Sequence, residues 1–208
     1  MNSLRTQSWN KAWAETRFRR AFVAALLLLA VTLTCFRAFL DFIELRPGTV
    51  LNDPIVALFP ATDLTWITFI LIYGGLLSGI AVLSVHPHLL HKTIMSYILM
   101  ILIRTVCLYA TPLDPPSDSI PLTDPVVEFF GGSGTTLTRD LFFSGHTATL
   151  ALIGMSMPVR TWRHIILAAT GCVAVCVLIQ HVHYTVDILV APLAAYTSLR
   201  IVRLLSLE

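Results

Sequence analysis

The sequence predicts an all-α membrane protein, a six-transmembrane-helix bundle with both termini in the cytoplasm, and three observations predict it. The chain of 208 residues is 56% hydrophobic and 12% charged, with a mean hydropathy of +0.78, whereas a soluble domain is about 45–50% apolar and about a quarter charged. Six apolar runs each approach the roughly 20 residues that a spanning helix requires. The basic residues fall mostly at one end of these runs, and such a bias sets membrane orientation. The length suits a single domain. A net charge of +2, with basic residues in short clusters beside apolar runs, fits membrane orientation and sets nucleic acid aside as a partner.

Residues 1–20 are polar and basic, ending in Arg17, Arg19 and Arg20, and read as a cytoplasmic N-terminal segment. Residues 21–205 read as the membrane catalytic domain. The first helix, about 21–42, lacks the short apolar region and small-residue cleavage site of a signal peptide and is expected to be retained. The others are expected at about 64–85, 93–113, 141–159, 164–182 and 184–205. Only Arg160 to Arg163 separates the fourth from the fifth, and only the cluster around His183 separates the fifth from the sixth, so these are antiparallel neighbours. Two long connections, 45–63 and 114–140, lie on the same side; the second contains Gly131-Gly132-Ser133-Gly134.

With both termini and the loops at Lys92 and Arg160/Arg163 on one side, that side holds ten Lys and Arg, against Arg46 and Arg139 on the other. The long loops are therefore expected to face the periplasm or an organelle lumen, with the active site on that side. Cys35, Cys107, Cys172 and Cys176 sit in apolar stretches without metal-site spacing and read as core packing. No metal and no cofactor is implied.

Ionisable side chains inside a bilayer cost about 2.5–3.5 kcal/mol each on insertion scales, so each is a functional candidate. Arg37, Asp41, Glu44, Arg104, Asp140, His146, His183 and Asp187 all fall near the non-cytoplasmic ends of their helices. His183 and Asp187 stand four apart on one helical face. The carboxylate can hold the Nδ1 proton and leave Nε2 free as a nucleophile or base. Asp140 and His146 would lie about 120° apart on a regular helix. A helix that begins near Ser144 resolves this, because Ser144 and Gly145 then offer backbone N–H groups to an anion such as phosphate, with His146 one turn below as proton donor. Arg37, Asp41 and Glu44 share a face of the first helix and read either as a structural ion ladder or as a seat for a headgroup amine.

The runs Ser144-Gly145-His146-Thr147 and His183-Tyr184-Thr185-Val186-Asp187, together with the segment from Arg104 through Tyr109 to Leu113, resemble the three motif regions of the sphingomyelin synthase family. That family lies within the membrane lipid phosphatase/phosphotransferase superfamily. The resemblance implies His183 with Asp187 as the nucleophilic pair and His146 as acid/base; Asp140 is expected to orient His146 or the acceptor. The lipid phosphatases of the superfamily carry a Lys-x6-Arg-Pro motif and a Ser-Arg pair; here Phe39 stands where the lysine would be, and Cys176-Val177 replaces the pair. A substitute cation must then hold the phosphate, with Arg104 the first candidate and Arg139 the second. Ser144, Gly145, Tyr109 and Glu44 complete the expected substrate-binding set.

The expected function is transfer of a phospho-headgroup, phosphocholine or phosphoethanolamine, from a phospholipid donor to a lipid alcohol acceptor such as ceramide through a phosphohistidine. A phosphatase or phospholipase C-type hydrolase using the same histidines is the alternative. A transporter or binding protein is weaker, since neither broken helices near the midplane nor repeated halves are visible.

Overall fold

The computed structural model describes residues 9–124 and 137–206. The helices are α1 (Trp9–Ala14), α2 (Thr16–Glu44), α3 (Thr65–Ser84), α4 (Pro87–Ala110), α5 (Gly145–Ser156), α6 (Arg160–Ile179) and α7 (Thr185–Leu205). Among the described residues there is no strand, only an isolated bridge between Thr49 and Leu113. Among the described residues five helices, α2, α3, α4, α6 and α7, are long and apolar enough to cross a membrane. Their outer faces carry Leu27, Val31, Ile70, Val106, Val175 and Leu189, all exposed, as expected where the surroundings are acyl chains.

The first spanning helix begins five residues before its expected start, taking in the basic segment, and α1 precedes it. Helix α4 starts at Pro87 in place of residue 93 because a proline at the first helical position is pre-set for the helix and lacks only an N–H that would have had no acceptor there. The largest departure is α5, 12 residues against the 19 expected over 141–159. At 1.5 Å per residue it is about 18 Å long, short of the roughly 30 Å hydrocarbon layer.

Helix α5 can be short because it is interior. It packs on α6 and α7 and also touches α3 and α4, and Ala148, Leu150, Ala151 and Leu152 are at most 1% exposed. Small residues permit the approach: a Cβ on Gly79 of α3 would meet Ile153 Cγ2 at 2.3 Å. The segment 140–143 that leads into α5 is non-helical, with bends at Phe142 and Phe143, and buries Leu141 and Phe143. Cys35 and Cys172, expected in the core, are exposed on the outer faces of α2 and α6; Cys176 is buried.

At one end of the bundle the first long connection touches the start of the second backbone to backbone. Thr49 N–H donates to Pro112 O and Asp114 N–H to Thr49 O, each at 3.1 Å. Gly48 is required there, since a Cβ would lie 2.3 Å from the Leu113 carbonyl carbon.

Candidate active site

Helix α6 ends in a turn that delivers His183. Val182 N–H bonds Val177 O and His181 N–H bonds Leu178 O, with His181 at φ 58°. These are the two bonds of a Schellman motif, with histidine where glycine is usual. The Gln180 side chain, fully buried, fixes this turn to its neighbours. Its Oε1 accepts from Leu64 N–H at 3.2 Å, and its Nε2 donates to Thr65 Oγ1 at 2.9 Å and to Ile120 O at 3.2 Å. His181, two residues before His183, is buried and pairs through Nδ1 with Asp118 at 3.0 Å. That contact holds the Asp118 carboxyl below its usual range.

His183 Nδ1 lies 3.3 Å from Asp187 Oδ2, which also accepts the Tyr184 N–H at 2.8 Å. Asp187 is fully buried and serves both the imidazole and the start of α7, as the carboxylate of a capping box does. The loop before α3 braces the same helix end. Asp53 accepts from Thr185 N–H at 2.6 Å and from Thr185 Oγ1 at 3.0 Å. Burial opposes ionisation of Asp53, but the bonds from Thr185, Ile55 and Val56 outweigh it and hold the carboxyl below its usual range. Tyr184 Oη receives Leu51 N–H and donates to Asp114 O.

The second histidine stands at the start of α5. Ser144 N–H donates to Asp187 O at 3.3 Å, so the two motif segments are tied backbone to backbone. That amide, expected to face an anion, is occupied, and the Ser144 hydroxyl bonds Thr147 Oγ1 at 3.1 Å. Gly145 remains on the cavity wall at the positive end of α5. Arg104, 7% exposed, reaches across from α4. Its Nε donates to Phe143 O at 2.7 Å and its Nη2 lies 2.8 Å from Asp140 Oδ1. Asp140, expected to orient His146 or the acceptor, thus orients Arg104.

One cavity of about 730 Å³ brings these groups together. Arg104, Asp140, Gly145, His146 and His183 line it, and Leu33, Leu76, Met100 and Leu150 continue it as an apolar chamber. Arg139, Tyr109, Glu44, Ser144 and Asp187 are not on its wall. Arg139 binds Asp114 at 2.6 Å and donates to Glu44 O, and its bond holds the Asp114 carboxyl below its usual range. Tyr109 lies outside under Arg46, whose Cζ is 4.8 Å from the ring centroid. The Glu44 carboxylate accepts Thr138 N–H at 2.9 Å, Thr138 Oγ1 at 2.6 Å and Arg139 N–H at 3.0 Å, anchoring the chain just before Asp140. Its expected partners on α2, Arg37 and Asp41, pair with each other at 3.0 Å. Arg139, Tyr109 and Glu44 therefore lie outside the cavity, Glu44 holding the segment before Asp140.

Sequence reasoning missed Asp53 and Gln180. Asp53 sits in a loop, where no periodicity marks a partner, and Gln180 looked like one more residue of a helix end.

The described residues thus place two histidines, an arginine and an apolar chamber around one cavity among apolar helices. Residues 139–204 match the family model described as PAP2 superfamily C-terminal, which takes in α5, α6, nearly all of α7 and both histidine motifs. The chain is similar to phosphatidylcholine:ceramide cholinephosphotransferase 2 of Macaca fascicularis and of Homo sapiens, 30% identical over 115 residues in each, covering 43% of this chain and 31% of the relative. The Rattus norvegicus protein of the same name is 29% identical over the same length. The matched region is thus under a third of the length of these relatives. No solved structure matches the chain. These findings support a place in the membrane lipid phosphatase/phosphotransferase superfamily, with sphingomyelin synthase-related proteins among its relatives.

Proposed function

We propose that this protein transfers a phospho-headgroup, phosphocholine or phosphoethanolamine, from a glycerophospholipid to the hydroxyl of a second lipid such as ceramide. The observation that carries the reading is the shared cavity: His183, backed by a buried carboxylate, opens with His146 and Arg104 into a chamber whose remaining wall is largely apolar. His183 Nε2 attacks phosphorus and the bond to the diacylglycerol oxygen breaks. His146 gives that oxygen its proton and diacylglycerol leaves. His146, now neutral, takes the proton of the acceptor hydroxyl, whose oxygen attacks the phosphohistidine; the P–N bond breaks and His183 is restored. Asp187 stabilises the imidazolium character at His183 in both steps. Arg104 and the start of α5 bind the phosphoryl oxygens. The names of the relatives, which act on phosphatidylcholine and ceramide, support this donor and acceptor. The ten-to-two distribution of basic residues supports cytoplasmic termini and an active site facing the periplasm or lumen.

The test is donor choice. Purified protein offered phosphatidylcholine, phosphatidylethanolamine and phosphatidic acid should consume the diesters and release little inorganic phosphate. Faster release of phosphate from phosphatidic acid than turnover of any diester would establish a lipid phosphatase and overturn the transferase reading.

A further inference from the structure

A phosphohistidine can pass its phosphoryl group to a lipid hydroxyl or to water, so whatever keeps water from His183 decides between transfer and hydrolysis. Part of the wall around His183 and Val182 is built by a strap of loop, residues 116–123, of which Ser119, Pro121, Leu122 and Thr123 line the cavity. Leu122 and Val182 pack on the same buried cluster, which contains Phe69, Leu150 and Val177. The His183 side chain is 7% exposed. Asp118 of the strap is 60% exposed, so a single thickness of chain separates the cavity from its surroundings here.

The strap is held by the residues that flank His183 in the chain. Ile120 N–H donates to Gln180 O at 3.1 Å, and Gln180 Nε2 donates to Ile120 O at 3.2 Å. Asp118 Oδ1 pairs with His181 Nδ1 at 3.0 Å. Just upstream, Tyr184 Oη donates to Asp114 O at 2.7 Å. Pro115, Pro116 and Pro121 stiffen the loop, so that holding it costs less chain entropy. His181 adopts φ 58°, a conformation that glycine takes more easily. An imidazole at this position is unfavourable for the turn itself, and its contact with Asp118 gives it a purpose there.

Resting on the transferase reading for the phosphohistidine, we infer that Gln180 and His181 are positioning residues that hold the 116–123 strap beside His183, and that the strap selects a lipid hydroxyl over water as acceptor. With the strap in place the lipid oxygen attacks phosphorus, its proton passes to His146 and the P–N bond breaks. With the strap loosened, a water oxygen does the same and the free phospho-headgroup leaves.

Full-length purified protein is given choline-labelled phosphatidylcholine and ceramide, and the ratio of free phosphocholine to ceramide-linked label is read. His181→Gly removes the imidazole and suits the left-handed turn, so the protein should keep its thermal stability. Asp118→Ala removes the other partner at an exposed side chain. Each variant should raise the ratio about tenfold, the equivalent of about 1.4 kcal/mol between the two acceptors. A merely structural role would lower both products together and leave the ratio alone. Deuterium exchange at Cε1 of His183, followed by mass spectrometry, should quicken in both variants as water gains access. With transfer present in the native protein, a ratio unchanged in either variant overturns the inference and leaves the transferase reading standing. If the native protein labels no ceramide, the transferase reading falls and the exchange rate decides the rest: faster exchange in the variants upholds water exclusion by the strap, and unchanged exchange removes it.

Discussion

The guanidinium of Arg104 lies against Gly145 so closely that a Cβ on this glycine would meet Cζ at 2.9 Å and Nη1 at 3.0 Å. Arg104, the cation proposed to hold the phosphate, thus has its place because the first residue of α5 carries no side chain. Gly145→Ala should displace Arg104 from the phosphate position while leaving the helix intact. The loss of about one charge-assisted hydrogen bond, some 1.5–3 kcal/mol, should lower kcat/KM for the donor by about tenfold to a hundredfold. Retained kcat/KM in a folded Gly145→Ala protein would remove Arg104 from the phosphate site.

His183→Ala should lose several orders of magnitude in turnover with the fold intact, since no other described residue on the wall supplies a backed nucleophile. Asp187→Asn should be milder but still severe, up to about ten-thousandfold by analogy with orienting carboxylates elsewhere. It should also lower thermal stability, because the same oxygen receives the Tyr184 amide. Rates measured beside melting temperatures for the two variants check both statements; substantial turnover by His183→Ala would contradict the covalent mechanism.

Glu44→Gln should act at a distance. The carboxylate accepts three bonds from Thr138 and Arg139, so its neutralisation should cost about 1.5–3 kcal/mol of stability and loosen the segment that carries Asp140. The expected kinetic signature is a lower donor kcat/KM, reproduced in direction by Asp140→Asn. A Glu44→Gln protein as stable and as active as the native one would show that the anchor is dispensable.

How much of this was legible in the sequence depends on how far apart the partners stand. His183 and Asp187 could be read because helical geometry puts residues four apart on one face. The helix start at Ser144 could be read because Asp140 and His146 would otherwise diverge. Arg104 was found as a cation, but its partner Asp140 lies 36 residues away by chain separation, across the cavity. Glu44 looked like part of an ion ladder on α2 because its neighbours were visible and its true partners, 94 and 95 residues on, were not. The length of α5 was overestimated because an apolar run says how much chain avoids water, and residues 141–143 do so without being helical, Leu141 and Phe143 being buried ahead of the helix.

Acid should loosen the loops before it unfolds the helices. Asp53 and Asp114 are held below their usual range by hydrogen bonds they accept in the folded state. A depressed folded value means that their contribution is complete above the ordinary carboxylate value of about 3.9 and is lost as pH falls through the lower folded one. Stability should therefore be flat near neutral pH and decline below about pH 4. Asp53→Asn combined with Asp114→Asn should lower stability at neutral pH and flatten that decline. An identical acid limb in the double variant would assign the sensitivity to other groups.

The central claim, that a phospho-headgroup passes from one lipid to another through this cavity, is tested most directly with choline-labelled phosphatidylcholine and purified protein, with and without ceramide. Label should appear in a new ceramide-linked phospholipid when ceramide is present, with only a slow release of phosphocholine when it is absent, and none of either with His183→Ala. Release of water-soluble label at the same rate whether or not ceramide is added, with no labelled acceptor lipid, would contradict the claim and make the protein a hydrolase.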